Sequence, residues 1–426
     1  MMNRSVLWLS TAVLSALALF AQGESGPAGT LAYRHGGNIW VKSLPDGAEK
    51  QISQGGGTEY PQWSVSGQWL SFRQNEKWIV TPANGDPQQM HVLEAGGPPE
   101  WSPLHDEVAF VAPEGLCVVS FDGNVPEKRV VLRGRKPGNI GDLAWSPDGT
   151  RFAFLMNGSL WRANSDGSDA QRLFSPGGHD SLGVAGWSSD GRYILFRIDP
   201  DSSASLAADG LPLFSISVDG GRAHALASNV FVHSDSVSVA PGRAEVLASN
   251  GCCREAWADK RLTLVDPATG RFTLISTARS VAVSPVWSPD GREIAYVSAP
   301  ENEAATRAGG GEPAKQALAQ RRIWIMNADG KQMRQMTSDS RYRDEYPLWS
   351  RDGQHILFTR MDQQDNAGVW TVRLSDGALR KIVDEVDDEN PVNTIVRTFP
   401  NAKPFPAWFG YYGYIHWNRY IAWHPQ

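Results

Sequence analysis

One phrase recurs along most of the chain: an aromatic residue, a Ser-Pro-Asp-Gly turn, then an alternating apolar run. The clearest copies are Trp145-Ser146-Pro147-Asp148-Gly149, Trp187-Ser188-Ser189-Asp190-Gly191, Trp287-Ser288-Pro289-Asp290-Gly291 and Trp349-Ser350-Arg351-Asp352-Gly353. Weaker copies start at Trp63 and Trp101, and an eroded one without Trp runs through Val239-Ala240-Pro241-Gly242. A period of roughly 40 to 60 residues is that of a repeat array, and a four-stranded propeller blade has about that length.

The phrase makes a hairpin for local reasons. Pro pre-sets φ, Asp bonds its own backbone two residues on, and Gly accepts positive φ without steric cost. The runs that follow, such as Arg151-Phe152-Ala153-Phe154 and His355-Ile356-Leu357-Phe358, alternate as strands packed between neighbours do. Each repeat Trp is then expected to pack blade against blade.

A second turn closes each unit: Asp46-Gly47, Asn84-Gly85, Asp122-Gly123, Asp166-Gly167, Asp219-Gly220, Thr269-Gly270, Asp329-Gly330 and Asp376-Gly377. Two hairpins per unit make a four-stranded blade. The sequence therefore predicts an all-β chain, a single β-propeller of eight blades. A seven-bladed ring with a decorated C-terminus is the alternative count.

The first unit begins at Gly29-Thr30-Leu31-Ala32-Tyr33 without its own Trp-Ser-Pro strand, and Tyr420-Ile421-Ala422-Trp423-His424-Pro425 reads like the missing one. The C-terminal strand is expected to complete the N-terminal blade and close the ring, which removes exposed edges. Residues 24–426 then form one domain.

Residues 1–23 read as a secretory signal: Arg4, an apolar core from Val6 to Phe20, and Ala21-Gln22-Gly23. The run is short for a membrane span. The expected destination is the periplasm or the exterior, with no transmembrane segment after cleavage and a retained N-terminal anchor as the alternative. The formal charge of −6 becomes −7 when Arg4 leaves, and such mild acidity gives no basic field for nucleic acid. Of the three cysteines, Cys117, Cys252 and Cys253, the adjacent pair can form a vicinal disulfide in a loop. Three partly buried thiols are the favoured expectation, because free Cys is among the most buried residue types.

The repeated Trp-Ser-Pro-Asp-Gly with its Ile-Ala-Phe-like strands resembles the TolB-like, or PD40, WD-repeat-like propellers over about residues 29–384. The resemblance implies a propeller and little about activity. TolB-like propellers occur in the periplasmic protein TolB, in prolyl-oligopeptidase-family peptidases and in metal-dependent oligogalacturonate lyases. The peptidases carry a Gly-x-Ser-x-Gly elbow, and no such sequence occurs here.

Both Gly-containing hairpins of a blade fall on one face, and all insertions fall on the other. Asp199 to Gly210 and Asn250 to Lys260 are insertions balanced between binding and decoration. Residues 299–320, rich in Ala, Gly and Glu, are expected to be a mobile loop, with helical periodicity only near Ala314 to Arg321. The connection 384–419 starts acidic and ends in a dense aromatic run. Trp408, Phe409, Tyr411, Tyr412, Tyr414 and Trp417 there either line a binding groove or pack the closing blade and cap the channel.

Glu59, Asp142, Asp235, Asp344 and Glu345 sit three to five residues ahead of a repeat's Trp position. If they converge, they form a carboxylate ring for calcium or a cationic ligand, although solvated loop charges are the commoner case. His179 and His233 lie in adjacent loops and are the transition-metal candidates. No cofactor other than calcium is expected. The function expected is non-catalytic binding of a protein, peptide or glycan on the insertion-bearing face. The alternatives are a metal-assisted polysaccharide lyase or hydrolase at the channel mouth and a stand-alone relative of peptidase propellers.

Overall fold

The computed structural model describes residues 26–123, 125–134, 139–308, 310–364, 366–387 and 412–426. The proposed signal, residues 1–23, lies outside them. Among the described residues, no helix is long and apolar enough to cross a membrane.

The chain is all-β, with six four-stranded antiparallel sheets and one of eight strands. The eight-stranded sheet divides at a single pair, Val230 with Asn250, into two four-stranded groups. Eight blades result, as the eight second-hairpin turns predict.

In each blade the strand that carries the repeat Trp lies innermost. The turn after it is built as its residues require. Ser146 Oγ donates to Asp148 Oδ1 at 2.6 Å and accepts from Arg151 N at 2.9 Å, while Asp148 Oδ1 accepts from Thr150 N at 3.1 Å. Ser188–Asp190, Ser288–Asp290 and Ser350–Asp352 repeat the pair.

The repeat Trp residues do more than fill space. The Trp187 indole donates to the Ala144 carbonyl at 3.2 Å, Trp349 to Val286 at 3.1 Å, and Trp145 to Glu100 at 3.0 Å. Each of these acceptors stands just before the Trp position of the preceding blade, so at these junctions the indole hydrogen bond fixes the stagger of neighbouring blades. Trp287 follows the eroded repeat, and its buried Nε1 has no hydrogen-bond partner among the described residues.

The ring closes through Ile421–Pro425, which pairs antiparallel with Gly29–His35, Gly29 facing Pro425 and Tyr33 facing Ile421. Trp63 donates to the Ala422 carbonyl at 3.1 Å, so the C-terminal strand occupies its place in the same series. Leu31 and Tyr33 of the first blade share a core with Leu357, Val369 and Ile382 of the last.

Two expectations change. Cys252 and Cys253 form a disulfide between adjacent residues, whereas three thiols were favoured; Cys117 alone is a free, buried thiol. Within 299–320, expected as a loop, two helices form, Glu303–Ala308 and Gly311–Ala319, with Ala314, Ala317 and Leu318 buried against Trp257. Those three positions share one face at helical spacing, and a narrow Ala stripe suffices when its partner is a large indole.

Candidate functional site: the insertion face and channel mouth

The face that carries the connections from second to third strand is elaborated in three consecutive blades. The fifth inserts helix Ala204–Asp209, the sixth the disulfide loop 250–260, and the seventh the two helices before Arg322.

Side-chain bonds lock these insertions together. Arg254 of the disulfide loop donates through Nε to Asp209 at 2.6 Å and through Nη2 to Ser205 Oγ at 3.2 Å. On its other side Arg261 pairs with Glu301, whose carboxylate also accepts from Asp259 N at 3.2 Å. Within the loop the buried Lys260 ammonium donates to the carbonyls of Cys252, Cys253 and Ala258 at 2.6, 2.9 and 3.3 Å and lies over the Phe231 ring. Burial pushes its pKa down to about 8.

A strap from Tyr412 to Tyr420 crosses from the insertions to the first blades. Ala256 N donates to the Tyr412 carbonyl at 2.9 Å, and Arg343 Nη2 to the Gly413 carbonyl at 3.0 Å. Gly413, at φ +82°, leaves no room for a Cβ between Trp257 and Leu318. At the far end Arg419 pairs with Glu59 and lies over Tyr60.

Innermost strands bulge at a repeated place. Tyr60, Asp142, Ser284 and Tyr346 have φ of 56°, 28°, 51° and 55°, and the strand registers shift beside each of them. Each stands three residues before its repeat Trp. A bulge bends the strand and re-aims the side chain next to it.

The five candidate carboxylates occupy this neighbourhood but do not share one centre. Asp344 takes two bonds from Arg360, at 2.6 and 3.0 Å, with both side chains fully buried. Glu345 binds Arg321, Arg343 Nε at 2.7 Å and Trp417 Nε1 at 2.8 Å, and the two guanidiniums hold its carboxyl below the usual range despite burial. Glu59 binds Arg73 at 2.8 Å and Arg419. Asp235 accepts from Ser284 Oγ at 2.6 Å and from the Tyr414 hydroxyl, and burial raises its pKa. Asp142 accepts from Val184 N at 3.3 Å and is likewise raised by burial.

His179 is exposed, and its carbonyl accepts from Ser202 Oγ at 2.8 Å. His233 stacks on Tyr414 with ring centroids 3.5 Å apart, and His416 meets it edge-on at 4.7 Å. Burial pushes both imidazoles down, His416 to about 4 with Arg419 adding to the effect. Among the described residues, no group of three or more His, Cys, Asp and Glu side chains is placed to hold a metal ion. Arginine partners account for three of the five: Asp344 and Glu345, both in the last blade, and Glu59 are neutralised where they stand.

Of the aromatic candidates, Trp408, Phe409 and Tyr411 lie outside the described residues. Tyr414 and Trp417 are buried, whereas Tyr412 is exposed, with the Arg254 guanidinium over its ring. Sequence reasoning missed His416, Ser284, Tyr346 and Lys260. Ser284 and Tyr346 had a usable signal, since they share with Asp142 the position three before a repeat Trp.

No family model matches the chain. A stretch of 78 residues is 36% identical to an uncharacterized peptidase, YuxL, of Bacillus subtilis, covering 18% of this chain and 9% of that protein. The dipeptidyl peptidase 4 of Porphyromonas gingivalis matches in structure over 82% of this chain and 56% of that one, at 11% identity and a TM-score of 0.55. A putative TolB of Agrobacterium tumefaciens matches over 61% of this chain and 84% of that one, at 18% identity and a TM-score of 0.35. The chain thus spans under a tenth of the curated relative and just over half of the peptidase structure, and at these identities the likeness is one of fold.

Proposed function

We propose that this chain is a binding propeller of the TolB-like kind, working in the periplasm or outside the cell, which engages a peptide or protein on its insertion-bearing face without chemistry of its own. The observation that carries the reading is the Arg254 junction. There helix Ala204–Asp209, the disulfide loop and the Tyr412 strap are tied into one surface by Asp209, Ser205 and the Tyr412 ring. Leu206, Val232 and Tyr412 are exposed on the segments joined there or next to them. Insertions on one face of a repeat array are where binding concentrates, and ones tied to each other present a preorganised surface. The acids and imidazoles of the channel mouth are committed to pairs and stacks that hold the strap.

The test is selection of a peptide library on the mature chain, followed by re-measurement of the selected peptides on variants. Leu206→Glu and Tyr412→Ala should weaken binding about tenfold or more, the scale of an interface hot spot. Leu379→Glu, on the opposite face, should leave it unchanged. Peptides indifferent to the first two variants and lost with the third would move the site to the turn face.

A further inference from the structure

On the same face of the seventh blade, beside the connection that enters it from the sixth, lies a cavity of about 420 Å³ lined by Arg279, Ser280, Tyr296, Arg322, Trp324 and Met333, among others. Its two guanidiniums differ from those of the channel mouth. Arg321, Arg343, Arg360 and Arg419 each face a carboxylate. Arg322 is 8% exposed, and its Nη1 donates only to carbonyls, those of Ala319, Arg321 and Tyr342 at 2.9, 2.6 and 2.8 Å. Among the described residues, neither Arg322 nor the exposed Arg279 forms an ion pair. Burial lowers the Arg322 pKa, and the more distant carboxylates of Asp344 and Asp339 offset that only in part.

An anion satisfies this cavity and a neutral glycan does not. A carboxylate is the natural partner of a guanidinium fork, and Ser280 and Tyr296 line the same cavity as the two arginines. The other wall, Trp324, Met333, Ala299 and Pro300, calls for an apolar body, which inorganic phosphate lacks. A volume of this size suits a small ligand.

We propose that the cavity takes the C-terminal residue of a peptide, its carboxylate between Arg279 and Arg322 and its side chain against Trp324 and Met333. The proposal rests on the insertion face being the binding face, and it names the group recognised there.

Calorimetric titration of the mature chain with N-acetyl-alanyl-leucine, its C-terminal amide and inorganic phosphate tests it. The free acid should bind, with affinity falling as salt rises. The amide should bind about tenfold more weakly or worse, the worth of one charge-assisted hydrogen bond. Arg279→Gln, at an exposed position that folding does not need, should reproduce that loss with unchanged melting. Met333→Asp, which sets a like charge beside the carboxylate, should do the same. Equal binding of acid and amide, binding of phosphate alone, or no binding by the acid overturns the assignment. If library peptides still require Leu206 and Tyr412 while the acid fails to bind, the face stands and the pocket falls. If the acid binds while library peptides ignore Leu206 and Tyr412, the face assignment falls and the pocket remains.

Discussion

Tyr414 lies flat on His233, with ring centroids 3.5 Å apart and planes 4° from parallel, and His416 stands edge-on to both rings. The stack holds the strap over the channel mouth, and it does so with neutral imidazoles. The charged and titratable groups that face it are Arg197 and the His416 imidazole around His233, Arg419 beside His416, and Asp235 and Glu345 near the Tyr414 hydroxyl.

A loss of stability in mild acid follows. The His416 pKa is pushed down to about 4 in the folded chain, whereas an unfolded His titrates near 6.5. The unfolded chain therefore takes up the proton first, so this contribution is complete above about pH 6.5 and is lost as pH falls toward 4. For His416 alone the window corresponds to about 3 kcal/mol. Urea unfolding from pH 7.5 to 4.5 should show the loss, and His416→Asn should flatten it. Equal slopes for the two proteins would mean that His416 is not buried as described.

Glu100 should show the opposite sign. Burial, and then the Asp142 carboxylate, push it up to about 7. The folded state holds the proton longer than the unfolded one. Its contribution is therefore present below about pH 4.5 and lost as pH rises through 7. Glu100→Gln should match the parent near pH 4.5 and exceed it increasingly toward pH 7.5, by up to about 3 kcal/mol. The carbonyl that receives the Trp145 indole is unchanged by the substitution. A constant difference across pH would sink the assignment.

The fully buried Asp344–Arg360 pair also lies among rings, with Arg360 over Tyr342, Phe358 and Trp370. Removing one partner strands the other charge, so Arg360→Met should cost about 3–5 kcal/mol. The double variant Asp344→Leu with Arg360→Met should recover much of that loss, because no charge then stays buried unpaired. Additive losses in a double-mutant cycle would show that Arg360 acts through its packing on the rings.

The blades were legible because their instructions are local. Ser146, Asp148 and Gly149 carry a turn within four residues, and Ala422-Trp423 repeats Ala144-Trp145 closely enough to place the last strand. The bulges were not legible, because Tyr and Ser have no preference for positive φ; at Tyr60, Ser284 and Tyr346 it comes from inter-strand register. Nor were the partners of Glu345, since Arg321 and Trp417 lie 24 and 72 residues away. A carboxylate's sequence position tells where it enters the channel, while only the fold tells which guanidinium meets it. The helical insertion was misjudged because Ala counted as low apolar content, although Ala314 and Ala317 are small enough to let Trp257 approach.

Closure offers the sharpest test of the architecture. Gly29 has φ +134°, and a Cβ there would stand 2.3 Å from the His424 carbonyl oxygen and 2.9 Å from Pro425 Cα, so any side chain drives the last strand away. Gly36 also has positive φ, at +58°, but nothing lies within 4 Å of its would-be Cβ. Gly36→Ala should therefore cost only the backbone preference, about 1 kcal/mol. Gly29→Ala should cost well over that and expose the edge of Gly29–His35, which invites pairing between molecules. Thermal unfolding with light scattering separates the two: Gly29→Ala should lower the melting point by more than Gly36→Ala does, and Gly29→Ala alone should show concentration-dependent association. If Gly29→Ala proves as mild as Gly36→Ala and stays monomeric, the C-terminal strand does not close this ring.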